Sequence, residues 1–237
     1  MGNLNYWSSF KNYDAAAWLI SFPEAEGKVL LTKLFREILL SGLKHDVLVF
    51  KDNEGEFIGA DAINLIIDNP EIDVFSCFLE QERYEYYTKL SFFSSEGDLR
   101  VEYVDDVGDL LKRLNSEERI DREYSYTNKA LRIRPPMSFD GETSVILRIP
   151  TDIWMPHVFN FRRIEREKID KSSDNSKDKL LSNKILYKHN TLRLNSFLAG
   201  IFLTVKDLGG KVVVEDDLIW EPYIPFVTDS GISEFPV

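Results

Sequence analysis

The chain has 237 residues, of which 40 are acidic and 29 are basic, so its formal net charge at pH 7 is −11. Hydrophobic residues make up 43% of it, which is enough apolar surface for a core and excludes wholesale disorder. A nucleic-acid partner is disfavoured because phosphate-tracking proteins need a positive stripe to release counterions. The acidic excess permits a basic protein partner.

We expect no membrane partner and a cytoplasmic location. No run of about 18 apolar residues is present, as a membrane-spanning helix requires. The first residues lack the basic start and apolar run of a secretory signal. Cys77 is the only cysteine, which suits a reducing compartment.

The first strong pattern predicts a helix from Phe22 to Leu43. Its apolar residues recur at helical spacing and form one stripe. Ser21 and Glu24 resemble a capping box with Pro23 in the first turn, and Gly42 suits the C-terminal cap.

Strands and short helices are predicted next. Alternating or continuous apolar residues between turn signals indicate the strands. Asp106 is predicted to cap a short helix that carries Leu110, Leu111 and Leu114. The predicted elements up to this point are a strand Asp46–Lys51, a turn Asp52–Gly55, a helix Asp61–Asp68, a central strand Ile72–Leu79 and a hairpin of Tyr84–Phe93 with Leu99–Val104.

The second half contains two further predicted strands, Ala130–Arg134 and Thr143–Ile149, and a second long helix that opens at Asn190 and ends at Gly209-Gly210. A strand Lys211–Glu215 and an irregular tail follow. Between the strand Thr143–Ile149 and this second long helix, residues 165–184 include a run without apolar side chains. They are predicted to be a mobile loop or a domain linker.

These elements predict an α+β fold, with a mainly antiparallel sheet and a long N-terminal and a long C-terminal helix packed on it. We expect one domain over residues 1–237, with a mobile loop near 168–183 where a division into two subdomains is possible.

The residues contain no recognisable catalytic or cofactor motif. His45, His157 and His189 are far apart, so no metal site is expected. Cys77 is interpreted as a buried structural cysteine in its predicted strand. Gly209-Gly210-Lys211 is not a phosphate loop, because the glycines follow a helix instead of preceding one. We therefore predict no cofactor and interpret the chain as a binder, with an enzyme of unrecognised type that uses dispersed carboxylates as an alternative.

A resemblance to a known family rests on the segment Arg193-Leu194-Asn195-Ser196-Phe197-Leu198, followed by Gly209-Gly210 and a strand. Over roughly the last fifth of the chain this pattern resembles immunity proteins of bacterial polymorphic toxins, including contact-dependent growth inhibition systems. The resemblance implies tight binding to one cognate toxin domain, often a basic nuclease. Such families share no catalytic residues that could be carried over.

The candidate toxin-binding surface, the acidic face, combines two acidic clusters with one tryptophan. An acidic surface would attract a basic toxin, and an aromatic anchor would hold it. The four tryptophans, Trp7, Trp18, Trp154 and Trp220, are otherwise interpreted as packed over the core. An adaptor or assembly subunit remains a further alternative, and the oligomeric state is open. The members of the acidic face are Asp105, Asp106, Asp109, Glu215, Asp216, Asp217 and Trp220.

Overall fold

The computed structural model of the chain describes residue 7 and residues 13–69, 72–81, 83–94, 96–114, 129–159 and 180–237. Within these ranges the fold combines helices with antiparallel sheets, so the predicted α+β class is confirmed. The described strands form two larger sheets and two small strand pairs.

The first larger sheet gathers strands from distant parts of the chain. Strand β1 lies in its middle and pairs antiparallel with β11 on one side and β8 on the other, while β6 and β7 both pair with β8. Its strands are β1 (Ala16–Pro23), β6 (Arg132–Ile133), β7 (Met137–Phe139), β8 (Glu142–Ile149) and β11 (Lys211–Val214).

The second larger sheet is built locally. Its order is β3-β2-β4-β5, and each neighbouring pair is antiparallel. Tyr86, Leu90 and Phe92 of β4 are buried on one face, as their alternation predicts. The strands are β2 (Val49–Lys51), β3 (Phe57–Ile58), β4 (Glu85–Phe93) and β5 (Leu99–Val104).

Two long helices cover one face of the first sheet and also contact each other. The ring of Phe202 in the second of them lies 5.9 Å from the ring of Trp18 in β1. Gly27 in the first helix packs so close to Thr143 of β8 that a side chain there would clash. The α-helices are α1 (Glu24–Lys44), α2 (Ala60–Ile67), α3 (Val107–Arg113) and α4 (Lys184–Asp207), and a π-helix spans Phe75–Leu79.

Short elements complete the described chain. They include the small antiparallel pairs β9–β10 and β12–β13. Trp7, Trp18 and Trp154 are fully buried, as predicted for tryptophans packed in the core. No helix among the described residues is both long and apolar enough to cross a membrane. The remaining elements are β9 (His157–Phe159), β10 (Leu180–Ser182), β12 (Val227–Thr228), β13 (Gly231–Ile232) and 3₁₀ helices at Asp152–Trp154, Asp216–Leu218 and Glu221–Phe226.

The predicted strand Ile72–Leu79 is wrong, because this segment forms the π-helix. Phe75, Phe78 and Leu79 are buried, whereas Ser76 and Cys77 between them are half-buried. That spacing of three to four is helical and not alternating. Asp73 also favours a helical turn, because its carboxylate accepts a hydrogen bond from the backbone N–H of Phe75 at 3.0 Å.

Both long-helix starts differ from the prediction. Ser21 belongs to β1, and Pro23 stands at the N-cap of α1 without a side-chain cap, so no capping box forms. Helix α4 begins at Lys184, with Asn183 at its N-cap, and Asn190 lies buried inside the helix. The strand β10 replaces part of the predicted loop, and residues 165–179 of that loop lie outside the described residues.

Candidate functional site

The first acidic cluster surrounds the start of helix α3, and its carboxylates already have partners. The Asp106 side chain accepts a hydrogen bond from the backbone N–H of Asp109 at 3.0 Å, which confirms the predicted cap. Asp109 forms an ion pair of 2.8 Å with Lys112, and this contact raises the pKa of the lysine. Asp105 accepts a hydrogen bond from the backbone N–H of Asp106. Part of this negative charge therefore stabilises the start of helix α3.

The second acidic cluster follows the edge strand β11. Asp216 and Asp217 lie in a 3₁₀ helix, and both side chains are exposed. Neither carboxylate forms a hydrogen bond or an ion pair with another residue in the described parts of the chain. Since nothing there neutralises them, the two charges remain available to a partner.

Trp220 stands beside this cluster at the border between core and solvent. Its backbone N–H donates to the carbonyl oxygen of Asp14 at 3.0 Å. Its half-buried ring contacts the edge of Tyr223, with 5.8 Å between the ring centroids. Tyr223 is fully buried, and its hydroxyl donates to Asp152 at 2.6 Å. The tryptophan thus packs against a buried, hydrogen-bonded tyrosine, while part of the residue remains exposed to solvent.

A buried ion pair, of which no sequence pattern gave a sign, lies beside the segment that carries the second cluster. The Arg148 Nε donates to the Asp14 Oδ2 at 2.5 Å, and the side chains are only 11% and 1% exposed. Burial raises the pKa of Asp14, and Arg148 opposes that shift. Asp14 also joins the second cluster through its backbone, because its N–H donates to the carbonyl oxygen of Leu218 at 2.8 Å.

Arg132 connects the buried pair to the first cluster. It lies directly opposite Arg148 in the β6–β8 pairing. Burial lowers the pKa of its guanidinium, while the charges of Asp14 and Asp106 act in the opposite direction. The charge around Arg132 is therefore mixed, with Arg148 beside it and the carboxylates of Asp14 and Asp106 acting on it.

Lys129 adds a second cation close to the first cluster. Its ammonium group donates to the carbonyl oxygen of Tyr86 at 3.0 Å and lies 4.7 Å from the centre of the tyrosine ring. Burial lowers its pKa, and Asp105 acts against this shift. Arg132 and Arg134 alternate with apolar residues in the sequence, a pattern that could have indicated positive charge around strand β6.

The residues considered for metal and thiol chemistry are scattered. The described residues contain no group of three or more histidine, cysteine, aspartate or glutamate side chains that could hold a metal ion. Cys77 is half-buried in the π-helix and is not in the predicted strand. Burial lowers the pKa of both His45 and His157, so both imidazoles favour the neutral form.

A groove of about 730 Å³ lies between α1, the π-helix and strands β7 and β8. Leu31, Phe35 and Phe75 supply apolar walls, and Glu24 and Asp73 supply carboxylates at its border. The Asp73 carboxylate is engaged with the backbone of the π-helix. The groove thus has a lining of mixed apolar and polar character.

Comparisons with protein-family models, with curated proteins and with solved structures find no match to this chain.

Proposed function

We propose that this chain is an immunity protein that binds a cognate toxin domain and neutralises it by contact, the toxin being a basic nuclease. The proposal rests on the sequence resemblance within helix α4 and strand β11 and on the surface that follows this strand. The observation that supports it best is the exposed pair Asp216–Asp217 beside the half-buried Trp220.

Binding would proceed in two physical stages. The carboxylates of Asp216 and Asp217 attract a basic partner and raise the association rate, an effect that salt screens. Trp220 then loses its remaining contact with water against the partner and slows dissociation, since buried aromatic anchors carry much of the energy of an interface.

The test requires a candidate toxin, which is sought as the C-terminal domain of a large secreted protein encoded beside the gene for this chain. Association and dissociation rates are measured by biolayer interferometry at low and physiological salt. The charge-reversal variant Asp216→Lys/Asp217→Lys should associate about tenfold or more slowly and lose most of its salt dependence. The variant Trp220→Ala should dissociate about 30-fold faster, which corresponds to about 2 kcal/mol.

A matched control is Glu54→Lys/Glu56→Lys, which changes the net charge by the same amount in the exposed turn after β2. If both charge reversals slow association equally, the overall charge of the protein sets the association rate and the surface after β11 has no special role. Absence of binding between the unmodified chain and the toxin domain would contradict the proposed function itself.

A further inference from the structure

Strand β5 forms an open edge of the second sheet. It pairs with β4 on one side, and it has no strand neighbour on the other side among the described residues. Five successive side chains, from Leu99 to Tyr103, are exposed, with 39% exposure for Leu99, 51% for Val101 and 41% for Tyr103. Apolar exposure at this level on an edge strand invites pairing with another strand.

The backbone of β5 is oriented for such pairing. Ser91 of β4 lies opposite Val101, yet both backbone groups of Ser91 bind the side chain of Asn190, at 2.8 Å and 2.9 Å. Ser91 and Val101 are therefore a pair that exchanges no hydrogen bonds, and the N–H and C=O of Val101 point away from β4. The same parity directs the backbone groups of Leu99 and Tyr103 outward.

The side chains of one β5 strand are complementary to those of a second, antiparallel β5 strand. If a second β5 strand runs antiparallel about a two-fold axis at Val101, each Arg100 faces the Glu102 of the other strand. On the opposite face, each Leu99 meets a Tyr103, and the two valines meet at the axis. Opposite charges and apolar pairs at directly facing positions stabilise antiparallel strands.

We infer that two copies of this chain associate through β5 and form one sheet that continues across both. The two-fold register satisfies charge and hydrogen bonding together, which an unrelated strand would match only by chance. The apolar surface also continues inward from the edge, because the ring of Phe57 lies 5.0 Å from that of Tyr103. The occupant of the β5 edge is thus a second copy.

The inference does not depend on the proposed toxin binding. Asp216 and Asp217 follow β11 of the first sheet, whereas β5 belongs to the second. A variant that loses self-association while it retains toxin binding, or the reverse, separates the two proposals.

Sedimentation velocity over a roughly hundredfold range of concentration tests the pairing. The unmodified chain should shift from monomer to dimer. Arg100→Glu alone and Glu102→Arg alone should each weaken dimerisation about tenfold or more, because like charges then face each other twice in the dimer. The double variant Arg100→Glu/Glu102→Arg should restore the dimer, since the charges again match.

Val101→Pro provides an independent variant. Proline removes only an N–H that points away from β4, so the monomer keeps its fold while the central hydrogen bonds of the dimer are lost. Thermal unfolding checks the fold of every variant, because Glu102 also forms an ion pair with Arg113. The inference is overturned if the unmodified chain stays monomeric throughout, if Val101→Pro still dimerises, or if the double charge variant dimerises no better than the single ones.

Discussion

Removal of one partner from the buried pair Asp14–Arg148 should destabilise the fold strongly. At the observed 2.5 Å separation of nitrogen and oxygen, two unit charges attract by roughly 7 kcal/mol at an effective dielectric constant of 20. The cost of burying the Asp14 carboxylate, which raises its pKa, offsets part of this attraction. A net loss of about 3–5 kcal/mol in the free energy of unfolding is therefore expected for Asp14→Leu.

The assay is urea unfolding at pH 7, followed by tryptophan fluorescence, for Asp14→Leu, Arg148→Met and the double variant. The double variant should recover much of the loss, because neither charge then lies buried alone. The exposed pair Lys211–Glu142, at 3.2 Å in the same sheet, is the matched control and should show little or no coupling, because solvent screens it. Equal destabilisation by Asp14→Leu and by the double variant would refute the reasoning.

Two further predictions concern a buried amide and a histidine. Asn190→Leu leaves the backbone N–H and C=O of Ser91 buried without their partner. The free energy of unfolding, measured by urea titration, should therefore fall by about 2–5 kcal/mol. A fall below about 1 kcal/mol would show that water replaces the amide. Burial, and to a lesser degree Lys184, lowers the pKa of His157 below the value of about 6.5 in the unfolded chain. The unfolded chain then binds the extra proton first, so this histidine contributes stability above about pH 6.5 that is lost as the pH falls through its lowered pKa. Unfolding free energies measured between pH 7 and pH 5 should therefore decline less steeply for His157→Gln than for the unmodified chain, and identical slopes would contradict this.

Local patterns predicted the elements whose signals are contained in a few neighbouring residues. The hairpin β4–β5 and the Asp106 cap follow from alternation and from one carboxylate at a helix start. The sequence could not show that Asn190 binds Ser91 instead of capping a helix, because asparagine suits both roles and its partner lies 99 positions away.

The candidate site was less predictable than the fold. The acids after β11 were visible as a charged run, but their neighbourhood includes Arg148 and Asp14, which are separated by 134 positions in the chain. Pairings at such distances depend on strand order, and strand order follows from packing of the whole core and not from local pattern.

The central position of β1 has a consequence for synthesis of the protein. Its partners are residues 142–149 and 211–214, whereas the sheet of β2 to β5 is complete within residues 49–104. At bacterial and eukaryotic elongation rates, the β1 segment waits roughly 10–40 s for its last partner to emerge from the ribosome. During that interval an almost wholly apolar strand has an unpaired edge, so slower translation lengthens the time for which a newly made chain is exposed to aggregation.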